Sequence, residues 1–319
     1  MPYKLLLTIV LIFYVASKGN AEILGFGSSK PGSVNYTAAS TLSQLLTEYT
    51  TLTTRTIPHS GTAATIYSLN VGEVDFAVAN LLEVVLAHKG ESFYTHGKQE
   101  NLRLIGTLFQ LVTGFMVREG SNIQAISDLR GVRVPGGYTG ELIFEHLQQA
   151  LLANANLAYS DVKLIPVSNG IQAAEQFSSN RLDTFYYSMS SGKVREVDVN
   201  VGGLRALPID TSTEAMNRLR KYMPVAYATQ ISPESKIPGV HKTMDVMTYD
   251  YVILTSLLTE DDAVYELTKV VYEQGVKSGK MVGPLASFKR EAMLKESDDI
   301  DYHPGAIRFY KEIGIWQPE

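Results

Sequence analysis

The chain has 319 residues, a formal net charge of −5 at pH 7, 45% hydrophobic and 19% charged residues, and no cysteine. A mildly acidic chain without basic runs is a poor nucleic-acid binder, and ordinary globular composition argues against long disorder. The lack of cysteine excludes disulfides, thiolate nucleophiles and cysteine-ligated metals.

In chain order the first feature is an export leader over residues 1–21. Lys4 supplies positive charge, Leu5 to Ala16 is almost continuously apolar, and Gly19-Asn20-Ala21 sets small residues at a cleavage site. The apolar stretch is shorter than the ~20 residues of a comfortable membrane span. If uncleaved, it would tether the chain; in either case the bulk of the protein is expected in the periplasm. Loss of Lys4 and Lys18, with no acid in residues 1–21, would leave 298 residues and a charge of −7. That length suits two domains better than one core.

After the leader, strands alternate with helices. Ile23-Leu24 opens a short strand, and a Gly- and Ser-rich loop runs from Gly25 to Tyr36. Tyr36 to Tyr49 predicts a helix with Ala38, Ala39, Leu42, Leu45, Leu46 and Tyr49 on one face. Thr51 to Ile57 predicts a strand, and Ser60 an N-cap for a helix that ends near Gly72. Val74 to Ala79 and Leu81 to Ala87 continue as strand and helix. Leu102 to Arg118 is a long extended stretch, broken near Gln110, that could run from one lobe into the next.

A second series repeats the order. Val132-Val134 is followed by the loop Gly136-Gly137-Tyr138-Thr139-Gly140 and a helix from Glu141 to Leu152. Val162-Ile165, Ile171-Phe177 and Asp183-Tyr187 read as strand, helix and strand. Thr243 to Ser256 is a second long crossing, with helices at Asp261-Gln274, Pro284-Glu296 and Pro304-Ile313. Two crossings place both chain ends in lobe 1, at 22–111 plus 248–319, and 112–247 in lobe 2. The expected class is α/β with two lobes, which the family resemblance given below makes a type II-like periplasmic-binding-protein fold. Its sheets are mixed and mostly parallel, flanked by helices, with a ligand cleft between the lobes.

Catalytic signatures are missing. His59, His88, His96, His146, His241 and His303 form no metal-ligand spacing, and there is no G-x-S-x-G elbow. Gly27 and Gly32 have the spacing of a Walker loop, but Ser33 stands where its lysine is required. The chain therefore reads as a non-enzyme without cofactor or metal.

The tail Tyr302-His303-Pro304-Gly305-Ala306-Ile307-Arg308-Phe309-Tyr310-Lys311-Glu312-Ile313-Gly314 is the most specific segment. It resembles the C-terminal helix of the TRAP-associated extracytoplasmic immunogenic (TAXI) family of solute-binding proteins. Gly72-Glu73-Val74-Asp75-Phe76-Ala77, Ile126-Ser127-Asp128-Leu129-Arg130-Gly131-Val132-Arg133-Val134 and Tyr265-Glu266-Leu267-Thr268-Lys269 match that family in order. The resemblance implies two α/β lobes, a ligand in the cleft, and delivery to TRAP transporter membrane subunits. One departure is in the first loop: Lys30, Pro31 and Val34 intrude, and Asn35-Tyr36 replaces the family's paired aromatics.

From the residues themselves, a small anion is expected at the helix N-termini. Ser28, Ser33, Asn35 and Tyr36 supply donors from the first loop, and Ser60, Gly61 and Thr62 from the second helix start. Asn80 ends the next strand. Tyr138, Thr139 and Gly140 stand at a helix start in lobe 2, Tyr187-Ser188 at a strand end, and Tyr249 in the second crossing. Lys30 is a solvated loop lysine or a ligand ion pair. Arg118 and Arg133 read as facing solvent. The expected function is capture of a small organic acid or acidic amino acid by a monomer. A sensory protein that hands its closed form to a receptor is the alternative.

Overall fold

A computed structural model describes residues 23–281 and 283–317. The leader reading on residues 1–21 lies outside the described residues. The first strand, β1 (Ile23–Ser28), is longer than the sequence suggests and takes in Gly25 and Gly27. A Cβ on Gly27 would lie 2.9 Å from Thr65 Cγ2 and 3.0 Å from Val74 Cγ2. Glycine is needed there for close packing and not for a turn, and the loop proper is confined to 29–33.

Next come α1 (Val34–Tyr49), β2 (Thr53–Pro58), α2 (Thr62–Asn70), β3 (Phe76–Asn80) and α3 (Leu81–Lys89). The apolar stripe of α1 buries Ala38, Ala39, Leu42, Leu45 and Leu46 as its periodicity requires. Tyr49, at the helix end, is exposed. The long strand β4 (Leu102–Arg118) is unbroken. Gln110 interrupts its burial pattern but not its pairing, because Gln110 sits opposite Asp250.

The second series comprises β5 (Arg133–Gly136), α4 (Ile143–Asn154), β6 (Lys163–Pro166), α5 (Gly170–Ser178) and β7 (Phe185–Ser188). Four elements that the sequence left unassigned follow: α6 (Gly192–Val201), β8 (Leu204–Ala206), α7 (Thr213–Arg220) and β9 (Tyr227–Ile231). The chain ends with β10 (Met244–Ser256), α8 (Asp261–Gln274) and α9 (Pro304–Glu312). The helix expected over Pro284–Glu296 is absent; two short 3-10 turns, Gly283–Ser287 and Arg290–Ala292, stand there instead.

The molecule has the mixed α/β, two-lobed periplasmic-binding-protein fold, with helices flanking the sheets. In the main sheet β1 pairs in parallel with both β2 and β3. β10 is antiparallel to β3, β4 and β9, and β4 is antiparallel to β7 and β8. β5 and β6 form a separate parallel pair. The C-terminal half of β10 thus carries the β1–β3 lobe, while its N-terminal half and the end of β4 carry β7, β8 and β9. Phe26, Leu42, Phe76, Ile253 and Phe309 belong to the larger core cluster. Phe177, Phe185, Val194, Leu204 and Val246 belong to the smaller one.

The tail is fixed as its sequence implies. His303 is the N-cap of α9, its Nδ1 accepting from Gly305 N at 3.1 Å, with Pro304 in the first turn. Tyr310 Oη donates to Ile105 O at 2.8 Å and pins α9 to β4. A Cβ on Gly305 would lie only 2.2 Å from Asp261 O, a backbone atom that cannot swing aside. Gly305→Ala should therefore pry α9 from α8 and cost about 1–3 kcal/mol or more. Urea denaturation of the variant beside the parent chain measures this.

Candidate functional site

Between the lobes lies a cleft of about 470 Å³. The first loop, the start of α2, the turn before α4, the end of β7 and the middle of β10 all open into it. Of the residues singled out from sequence, Ser33, Asn35, Ser60, Gly61, Thr62, Thr139, Gly140, Tyr187, Ser188 and Tyr249 line it, and so does Lys30. The two turns approach closely: a Cβ on Gly61 would meet Gly140 O at 3.3 Å.

Four expected residues are not among the lining. Ser28 is fully buried inside β1, its hydroxyl turned to Ser29 O. Tyr36 falls in the first turn of α1, where its N–H donates to Ser33 Oγ at 3.1 Å. Asn80 caps α3: its Oδ1 accepts from Glu83 N at 2.9 Å. Tyr138 is buried with its ring edge-on to Phe144, and its N–H donates to Glu145 Oε1 at 2.9 Å.

The lobe 1 side is a set of donors. Asn35 Nδ2 donates to Thr62 Oγ1 at 3.2 Å and to Val78 O at 3.0 Å, tying the first loop to α2 and β3. Ser60 does not cap α2. The N-cap is Gly61, and no side chain bonds the first turn, so its leading N–H groups face the cleft uncapped. Lys30 is exposed and enters no ion pair among the described residues.

The lobe 2 side differs from expectation. The helix after Gly140 starts at Ile143, and Gly140 N is already spent on Ser168 O at 2.8 Å. The nearby N-terminus of α5 is satisfied internally, by Asn169 Oδ1 on Gln172 N and by Glu141 Oε2 on Gly170 N at 2.8 Å. Gly140 and the start of α5 are thus closed to an anion, while α4, with Leu142 as its N-cap, has no side-chain cap. Arg118 and Arg133 are half-buried rather than solvated. Arg118 donates to Phe177 O at 2.7 Å, and Arg133 grips Asp183 at 2.6 and 3.1 Å. Arg118 and Asp183, the ion-pair partner of Arg133, line a wider surface hollow of about 650 Å³ beside Gly203.

Sequence reasoning missed two carboxylates of the cleft. Glu83 stands alone in the apolar helix Leu81–Lys89, and that isolation among buried aliphatics was the available signal. Asn80 Nδ2 donates to Glu83 Oε2 at 2.5 Å. Burial, and then the charge of Glu141, push the Glu83 carboxyl up to about 8, against the opposing Asn80 bond. Burial also raises Glu141, against the Gly170 N–H. Phe93, Phe144, Tyr186 and Tyr251 add aromatic walls. Ser188 Oγ is buried without a hydrogen-bond partner. Across the lobes Ser92 Oγ lies 2.8 Å from His146 Nε2, and burial lowers the His146 pKa.

Among the described residues no helix is long and apolar enough to cross a membrane, and no three His, Asp or Glu side chains are grouped for a metal. The strand crossings and the cleft are those of the two-lobed periplasmic-binding-protein fold. PhnD1 of Prochlorococcus marinus, solved with methylphosphonate, has a similar structure, with TM-score 0.57 and 12% identity over 93% of this chain and 100% of that one. The periplasmic sulfonate-binding protein SsuA of Methylobacillus flagellatus KT gives 0.51 and 13% over 93% and 97%. The chain belongs to the NMT1-like family, whose profile matches residues 26–314.

Glu83 binds its proton more tightly folded than unfolded, so its contribution to stability is full below about 4.5 and is lost as pH rises through about 8. Glu83→Gln should thus raise the apo Tm at pH 8 by about 2 °C or more and leave it nearly unchanged at pH 4. Differential scanning fluorimetry at the two pH values checks this.

Proposed function

We propose that the chain is an exported, periplasmic solute-binding protein that closes its lobes around a small organic acid or acidic amino acid and delivers it to a TRAP-type secondary transporter. The observation that carries the reading is the cleft: uncapped amides of α2, Lys30 and hydroxyls on one side face Thr139, Tyr187 and Ser188 on the other. Membership of the NMT1-like family and the fold support a binding role. The methylphosphonate of PhnD1 and the sulfonate of SsuA support an anionic group in the solute. The TAXI-like tail supports the TRAP membrane subunits as partner. SsuA is described as part of an ABC transporter, which favours an ABC importer as the second reading.

The hinge belongs where β4 and β10 pass between the lobes, at 111–112 and 247–248. In the closed form Gly61 stands against Gly140, where a Cβ would lie only 3.3 Å from Gly140 O. Recognition on lobe 1 rests on backbone dipoles and one mobile lysine, with Asn35 and Thr62 holding the loops in register.

Calorimetric titration of the mature chain with carboxylates, amino acids and neutral sugars tests the ligand class. Carboxylate binding is expected; binding of sugars alone overturns the anion reading. Gly61→Leu should weaken the bound acid about tenfold or more without changing far-UV circular dichroism, because the added side chain obstructs closure. Uptake into vesicles holding the partner membrane subunits should follow an ion gradient without ATP. An absolute ATP requirement would assign the ABC importer instead.

A further inference from the structure

The cleft holds a second chemistry, opposite in sign to the first. Glu83 from α3 and Glu141 from the turn before α4 bring two carboxyl groups to one cavity, and the charge of Glu141 adds to the cost of ionising Glu83. Neither joins a salt bridge among the described residues. Ionising the buried Glu83 beside Glu141 is unfavourable in the empty protein, so the arrangement suits a cation that arrives with the ligand. The walls agree with this. Phe93, Phe144, Tyr186, Tyr187, Tyr249 and Tyr251 line the same cavity, and aromatic faces attract ammonium groups.

Two polar atoms of the cleft are open to a ligand. Ser188 is 7% exposed and its Oγ has no partner. Tyr186 is 1% exposed, and its Oη meets the Thr113 and Tyr249 hydroxyls without a well-formed hydrogen bond. Both line the cleft and both can accept a hydrogen bond. An ammonium group donates to both and to the carboxylates at once, whereas a fully methylated ammonium offers no N–H.

We infer that the solute carries a protonated amine seated between Glu83 and Glu141 against the tyrosine walls, with its acidic group on the Lys30 and α2 side. This deepens the solute-binding reading above and rests on it: the ligand is a zwitterionic amino acid, and a plain organic acid is disfavoured. Glu83 is the specificity-determining residue. Its bond from Asn80 holds the carboxyl toward one rotamer, and Glu141 is held likewise by Gly170 N.

The test compares matched probes by calorimetry on the mature chain: L-glutamate with glutarate, L-leucine with isocaproate, and cadaverine as an amine without an acid. At least one amino acid should bind about tenfold or more tightly than its deaminated partner. In Glu83→Gln that preference should fall about tenfold, while affinity for the deaminated acid stays within about threefold. Glu83→Asp, which keeps the carboxyl group, should retain part of the preference and shows whether loss in the Gln variant reflects chemistry or misfolding. Deaminated acids that bind as tightly as the amino acids overturn the inference and leave the organic-acid reading standing. Cadaverine binding without any acid binding overturns the organic-acid reading and keeps the ammonium pocket. Binding by none of the probes overturns both.

Discussion

The antiparallel pairing of β4 with β10 carries the architecture. Ten residue pairs run from Met247 opposite Thr113 to Ser256 opposite Leu102, with register shifts at Tyr251/Val252 and Ile253/Leu254. β3 joins one end of β10, and β7, β8 and β9 join the other end of the pair. Both lobes therefore hang on the same two strands, and the strand pair that holds them together also sets the angle at which they face one another. The proposed closure of the cleft would bend this strand pair without breaking its ladder. Tyr249 and Tyr251 sit in this pair and line the cleft directly.

The cleft is electrostatically divided. On lobe 1, Gly61 leaves the first turn of α2 uncapped, so donors that a serine cap would consume stay open. The first loop is braced behind it by Asn35, a buried amide that reaches both Thr62 and the middle of β3. On the other side two sets of amides are already spent. Glu141 fills the N-terminus of α5, and Gly140 bonds Ser168. An acid that occupies a helix N-terminus from within turns an anion site into its opposite. Glu83, buried beneath, adds a second acid held by its own capping residue.

Close glycine contacts shape these walls. A Cβ on Gly170 would lie 2.4 Å from Phe144 Cε2 and 2.5 Å from Tyr187 Cε2. The absence of that atom lets two aromatic rings lie over the start of α5, where they form part of the cleft. Gly27 does the same for α2 against β1. The helices are thereby brought near enough to the sheet for short loops to reach the gap.

Local pattern in the chain was enough for the alternation of strands and helices, the two long crossings, the α1 stripe and the His303–Pro304 helix start. Each of these depends on neighbours a few residues apart: periodicity, caps and turn residues act at short range. Ten of the fourteen nominated residues line the cleft because strand ends and helix starts gather at one edge in such folds. Tertiary structure decided the rest. Tyr138 and Ser28 carry polar groups like their neighbours, yet packing turned one into the core and enclosed the other in a strand. Glu83 and Glu141 are 58 residues apart along the chain. Nothing local marks two acids as facing partners, because their proximity and their shared loss of solvent exist only once both lobes stand across the same gap.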